Sequence, residues 1–187
     1  TTGAQVAGSA YEVFDDRITL SQPDATPSKA NGLGDVELSG DEAPIEIGNH
    51  VWADMDRDGI QDSGEPGVPG VHVQLKTPGG TVLATSITDG NGNYFFNDSN
   101  VPDGDPGTPG NQPGLLTLTA YKICILAAEF ANGQPLNNFA VATPDQAGTG
   151  LADFSDSDGI LQGNGDVMIM LTTGSSGENN HSYDFGV

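Results

Sequence analysis

The sequence predicts an all-β fold, a sandwich of short strands, and three observations carry that prediction. Apolar residues fall in short alternating runs, as in Val71, Val73 and Leu75 with His72, Gln74 and Lys76 between them. That is the period-two pattern of a half-buried strand. The chain has 27 glycines and 12 prolines, and many of them cluster between the runs as turn signals. No stretch keeps a 3.6-residue period long enough to make a substantial helix. Many short strands with Gly- and Pro-rich turns argue for a β-sandwich.

The strands are expected near 45–52, 70–76, 81–88, 93–97, 115–126, 137–142, 166–172 and 181–187. "DGNGN" should make a tight turn between two of them, and "PDGDPGTPGNQPG" a long surface loop. Alternation assigns inward rows to Val71, Val73 and Leu75, to Tyr121, Ile123 and Ile125, and to Val167, Ile169 and Leu171. In the last strand Tyr183, Phe185 and Val187 share a face. Trp52 is expected to anchor the core, since a lone tryptophan in a strand is more often core than a platform for stacking carbohydrate.

Residues 1–43 differ in composition from 44–187. They read as an extended N-terminal arm and linker with one or two strands, "AYEVFDDRITL" and a shorter one in "GLGDVELSG", joined by "SQPDATPSKANG". The sandwich is assigned to 44–187.

The net charge is −21 with only five basic residues. Such a chain repels nucleic acid and anionic membrane surfaces and attracts divalent cations. Cys124 is the only cysteine, so no internal disulfide can form, and its setting in "YKICIL" suggests a structural thiol. The longest apolar run is "ICILAA", far short of a membrane span. No signal peptide is legible, which suits a processed form or a piece of a longer protein.

The charge is concentrated in "DMDRDGIQDSGE", residues 54–65. Two carboxylates about 4 Å apart repel by roughly 4 kcal/mol at an effective dielectric near 20, so a positive centre is expected among them. The stretch fits D-x-[DN]-x-[DN]-G-x5-E, a twelve-residue calcium loop. Asp54, Asp56 and Asp58 offer oxygens from alternate positions, and Gly59 takes the sharp turn. Ile60 offers its carbonyl, Asp62 binds directly or through water, and Glu65 closes the shell with both oxygens. Hard oxygen ligands in this number suit Ca2+ better than zinc or copper.

The loop lacks flanking helices. "PIEIGNHVW" precedes it as a strand, and "PGVPGVHVQLK" follows it with Pro-Gly pairs that forbid a helix. Gln61 also stands where a helix-loop-helix pair usually has an aliphatic residue. This is a calcium loop between strands, and a sensor that opens its helices is not expected.

Two further clusters are candidates. Asp89 and Asn91, with Asn93, form half a calcium loop, although Asp-Gly and Asn-Gly are equally strong turn formers. Asp153, Asp156 and Asp158 in "ADFSDSDG" again precede a glycine and are a further candidate, with Asp184 free to complete a shell. His50, His72 and His181 are scattered and are expected at solvent-facing strand positions. Asn97 and Asn180 head short glycosylation sequons that match often by chance. No catalytic constellation is legible, and carboxylates that must stay ionised around a cation are unsuited to general acid work. An enzyme is not expected.

The run "IEIGNHVWADMDRDGIQDSGEPGVPGVHVQL", then "TDGNGNYFF", "DFSDSDG" and "HSYDFGV", resembles the SdrD B-like module of bacterial surface proteins. That module is related to the Cna B-type, immunoglobulin-like sandwiches that build adhesin stalks. The resemblance covers about Ile45 to Val187 and leaves residues 1–43 uncovered. It implies an extracellular, calcium-stabilised β-sandwich of the cell surface that acts mainly as a repeated spacer, with "DFSDSDG"-type motifs supplying weaker calcium sites. Partners are then neighbouring modules or identical subunits, and host or surface ligands are met through other domains. Some Cna B-type domains carry a Lys–Asn cross-link, but "IEIGNHVW" has no lysine and none is expected. The alternative is a subunit of an extracellular fibre or filament, assembling by strand addition through the N-terminal arm.

Overall fold

The computed structural model of the protein describes residues 5–6, 10–11, 43–107, 113–144 and 155–187. The chain divides into two units, Thr1–Gly40 and Asp41–Val187. In the first, β1 (Gln5–Val6) pairs antiparallel with β2 (Ala10–Tyr11). The rest of the expected strand through 20, and "GLGDVELSG", lie outside the described residues.

The second unit is a β-sandwich. Its shorter sheet contains β3 (Ile47–Trp52), β6 (Asn93–Phe96) and β10 (Phe185–Gly186), in the order β10-β3-β6. β3 runs antiparallel to β6 and parallel to β10. The larger sheet has the order β5-β4-β7-β9-β8, all antiparallel. Its strands are β4 (His72–Lys76), β5 (Val82–Ile87), β7 (Ala120–Ile125), β8 (Ile160–Leu161) and β9 (Val167–Thr172).

The core lies between the sheets, as alternation requires. Val73 and Leu75, then Tyr121, Ile123 and Ile125, then Val167, Ile169 and Leu171 are buried from the larger sheet. They join Ile47, Val51, Tyr94, Phe96 and Phe185 in one cluster. Each fully buried aliphatic or aromatic side chain of this kind stabilises by about 1.5–3 kcal/mol relative to exposure. Trp52 is fully buried at the end of β3. Gly48 interrupts β3 because a Cβ there would lie 2.2 Å from the Tyr94 carbonyl oxygen, so the strand needs glycine for backbone approach.

Several boundaries differ from the sequence pattern. Residues 137–142 are not a strand: Gln134, Asn137 and Phe139 donate backbone hydrogen bonds to Ala131, Gln134 and Leu136 in successive turns. Asn138 takes a left-handed φ of 72°, a conformation asparagine tolerates and a strand does not. The alternating Phe139 and Val141 therefore pack half-buried against the core from irregular chain. β7 begins only at Ala120, since Leu118 is also left-handed with φ 50°. The last strand shrinks to Phe185–Gly186, and Asp184 and Gly186 are buried as fully as Phe185 and Val187. β8 and a 3-10 turn at Ala127–Phe130 are additions, too short to leave a periodic signal. "DGNGN" does turn tightly, but it carries the chain from the larger sheet to the smaller, not between partners. The described part of the loop from 102 is anchored: Tyr121 Oη donates to the Gly104 carbonyl at 3.1 Å.

Gly186 packs against the anchor, where a Cβ would lie 2.9 Å from Trp52 Cζ2 and 2.8 Å from Ala142 Cβ. Gly186→Ala should therefore lower stability by about 1–3 kcal/mol through overpacking. The check is a denaturant titration in which the midpoint drops and the slope stays constant; an unchanged midpoint contradicts the packing.

Candidate functional site

β3 delivers the acidic loop, and both ends of the loop are fixed before any carboxylate is considered. Ala53 N–H donates to the Pro66 carbonyl at 2.9 Å, which closes residues 54–65 at their base. Asp54 N–H donates to Val187 O at 2.8 Å, and Val187 N–H to Trp52 O at 3.0 Å. The loop thus hangs from a strand held on both sides.

Within the loop, Arg57 (φ 66°) and Gly59 (φ 82°) are left-handed, and these turns fold the alternate carboxylates inward. The buried Asp54 organises the backbone: its Oδ1 accepts from Arg57 N–H at 2.6 Å and its Oδ2 from Gly59 N–H at 3.0 Å. Asp58 Oδ1 accepts from Ile60 N–H at 2.8 Å. Asp54, Asp56 and Asp58 each bring one carboxylate oxygen to within 4.8 Å of the others. At that separation each pair repels by about 3 kcal/mol at an effective dielectric near 20. Glu65 accepts from Met55 N–H at 2.7 Å with one oxygen and from Asp62 N–H at 2.9 Å with the other. It braces the two ends of the loop, and neither Glu65 nor the exposed Asp62 belongs to the converging set.

The second acidic motif lies against the first, which nothing in the sequence indicates. Ile60 forms an antiparallel bridge with Asp156, with Gln61 N–H donating to Ser155 O and Ser157 N–H to Gly59 O. Asp156 and Asp184 are buried and Asp158 is half-buried. Asp184 N–H donates to Asp158 Oδ2 at 2.7 Å, and Asp184 Oδ1 accepts from His50 N–H at 2.9 Å. Burial, with Asp158 close by, pushes the Asp184 carboxyl up to about 8, against the opposing hydrogen bonds from His50 and Asn49. Gly159 is needed here, since a Cβ would lie 2.7 Å from the Phe185 ring. Asp153 lies outside the described residues.

The third motif is a self-satisfied turn. Asp89 Oδ1 accepts from the Asn91 and Asn93 N–H groups, and Asp89 Oδ2 from the Asn93 amide. The Asn93 backbone bond first, then its side chain, hold the Asp89 carboxyl below its ordinary value.

His50 joins these loops. Its Nε2 lies 2.6 Å from the Asn91 carbonyl oxygen, which can only accept, so Nε2 carries the proton. Its Nδ1 then accepts from the Gln61 amide at 2.8 Å, which accounts for a polar residue at that loop position. The imidazole also stacks on Trp52. The three histidines do not converge: His72 faces Glu129 and His181 faces Glu46. His50 and His181 are half-buried, not solvent-facing as the strand pattern predicts. Asn97 donates its amide to Glu46, and Asn180 accepts from Ser182 N–H, so both sequon side chains serve the fold.

A closed set of carboxylate oxygens on a pre-turned loop fits a hard divalent cation by donor chemistry. The fold and this loop define an all-β sandwich module with an acidic, cation-type loop at the end of its first sandwich strand. Residues 45–106 match the SdrD B-like domain family. The chain is 45% identical over 73 residues to serine-aspartate repeat-containing protein I of Staphylococcus saprophyticus, across 39% of this chain and 4% of that protein. It is 42% identical over 73 residues to the bone sialoprotein-binding protein of Staphylococcus aureus strain MRSA252, across 37% of this chain and 6% of that protein. Serine-aspartate repeat-containing protein E of S. aureus strain Newman matches to the same degree. The match thus spans only a few per cent of these relatives' lengths. The domain is one of extracellular, cell-surface proteins. Among the described residues, no helix is long and apolar enough to cross a membrane.

The Asp184 carboxyl sets a pH dependence. Its folded value of about 8 lies above the ordinary aspartate value of 3.8, so between those values the folded state holds more protons than the unfolded one. Stability from this group is full at low pH and is lost as pH rises from about 4 to about 8. In chelator, the melting point should fall across that window, and Asp184→Asn should flatten the fall. A chelated wild-type protein and variant with parallel pH profiles would contradict the burial of an ionisable carboxyl there.

Proposed function

We propose that residues 44–187 act as a spacer, a stalk module of a cell-surface protein, made rigid by calcium. The observation that carries this reading is the convergence of Asp54, Asp56 and Asp58 in a loop whose backbone is already turned for them. Asp54, Asp56 and Asp58 hold the ion, with the Ile60 carbonyl, Asp62 and Glu65 as the remaining ligands. Asp156 and Asp158, with Asp184, form the second site; Asp153 is assigned to it by sequence alone. Asp89 and Asn91 make the weakest candidate, since the Asp89 oxygens already serve their own turn.

The physical role of the ion is to discharge repulsion. Like-charged groups held this close destabilise the fold until a cation binds, and the binding free energy then becomes folding free energy. Extracellular calcium saturates even sites with dissociation constants near 10⁻⁴ to 10⁻³ M, by order of magnitude. A spacer of this kind has neighbouring modules as its partners, and any adhesive ligand is engaged by other domains. Strand addition through the arm has less support: the described part of the arm, Gln5–Val6 and Ala10–Tyr11, pairs with itself.

Calcium at a hundred times its dissociation constant should add about 2.7 kcal/mol per site if the unfolded chain does not bind it. Thermal melting with and without chelator measures this, and an unmoved midpoint in verified calcium-free protein overturns the reading. Asp58→Ala with Glu65→Ala should abolish most of the gain, while Asp24→Ala with Glu37→Ala should leave it intact. Equal losses from both pairs would show that diffuse charge, and no formed site, attracts the ion.

A further inference from the structure

The outer face of the larger sheet carries charge of the wrong sign for this protein. Residues 41–187 contain 20 acidic residues and three basic ones, Arg57, Lys76 and Lys122. Lys76 and Lys122 stand directly opposite each other on β4 and β7, an arrangement of like charges that costs stability. Both lie close enough to Cys124, the next outward residue of β7, to pull down a thiol that burial pushes up. Neither lysine has a carboxylate or hydrogen-bond partner among the described residues. In a chain so rich in carboxylates, two adjacent unpaired ammonium groups are unexpected.

The same row continues into exposed apolar side chains. Lys76 pairs with Val82 of β5, and Lys122 with Met170 of β9. Met170 is 72% exposed and Val82 49%. Ile160, which pairs with Met168 on the neighbouring edge strand, is 52% exposed. Met170 stands between two grooves of about 310 and 460 Å³, one reaching Lys122 and Pro78 and the other Ile160, Tyr183 and the Asp158 carboxylate, so the basic end of the face is the Lys122 end. A partner suited to this face must be acidic and must carry an apolar tip.

The chain holds that complement itself. Met55 is 73% exposed near the N-terminal end of the acidic loop, between Asp54 and Asp56, and the exposure continues through Asp58. With five carboxylates and Arg57 the loop carries −5 + 1 = −4, and one bound calcium brings it to −2. It stays negative in either state and faces +2 from the lysine pair. We propose that the exposed Met55–Asp58 edge of the loop of one copy docks on the Lys76–Lys122–Met170 row of a second copy, with Met55 against Met170. Donor and acceptor are different surfaces, so the contact is head-to-tail and extends copies into chains instead of closing a dimer. Its affinity is low, because its charges are solvent-exposed. Copies tethered on a shared surface reach the millimolar effective concentrations at which such a contact is populated. The inference goes beyond the spacer role and does not require calcium.

Sedimentation of the full chain at rising concentration into the millimolar range tests it. The expected result is a weight-average mass that climbs with concentration and falls back when salt is raised from roughly 0.05 to 0.5 M. K76E/K122E and Met55→Lys should each stay monomeric alone, yet form dimers when mixed, because each keeps the surface the other lacks. Calcium-dependent melting of both variants confirms that they fold. A monomeric wild-type protein at all concentrations overturns the proposal. So does association in either variant at the wild-type level, or association that vanishes only on deletion of residues 1–42.

Discussion

The hydrogen bonds between Val187 and the Trp52–Asp54 segment are the constraint on which the rest depends. They join residues more than 130 positions apart, and they fix the point where the acidic loop leaves the sandwich. Below that point Trp52 is buried against Gly186; above it Asp54 turns inward and caps Arg57 and Gly59. The carboxylate cluster therefore stands on a base that is complete only once the last strand has docked beside the first strand of the sandwich. A cation that binds the finished loop stabilises that long-range closure, because the open chain presents no converging site.

The same dependence explains why acidic groups are tolerated inside the fold. Asp156 and Asp184 are almost wholly inaccessible, and isolated buried charges are costly. The structure offsets part of the cost with donors, His50 N–H and Asn49 on Asp184, and without a bound cation burial shifts the Asp184 carboxyl towards its neutral form. His50 adds a neutral link, taking a proton donor from Gln61 on one side and giving its own to Asn91 on the other. Two loops that share like charge are thus held together by a group that carries none.

Much of the fold was legible because strand alternation is local. The rows through Val73, Ile123 and Ile169 were readable from period two alone, and the loop at 54–65 from ligand spacing. What escaped was long-range or too short to be periodic. Phe139 and Val141 alternate as a strand would, but the Asn137–Asn138 pair turns the backbone first. The bridge from Ile60 to Asp156 places two acidic motifs side by side, and no spacing rule reaches across 96 residues. Gln61 departs from the helix-loop-helix pattern, and its partner His50 lies 11 residues back on the preceding strand. Asp184 was visible as a candidate and could not be located, because its position depends on the parallel pairing of β10 with β3.

That parallel pairing also sets how the module bears load. Between the segments 46–54 and 180–187, five backbone hydrogen bonds run in sequence: Asn180 to Glu46, Gly48 to Asn180, Tyr183 to Gly48, Val187 to Trp52 and Asp54 to Val187. When modules are linked in series, tension enters ahead of Ile45 and leaves past Val187. The two segments point the same way, so the pull slides one along the other and strains all five bonds at once. An antiparallel hairpin gripped at its open end would instead peel one bond at a time. The acidic loop hangs from the end of this seam, so an ion that locks the loop also braces the Asp54–Val187 bond that shares the strain.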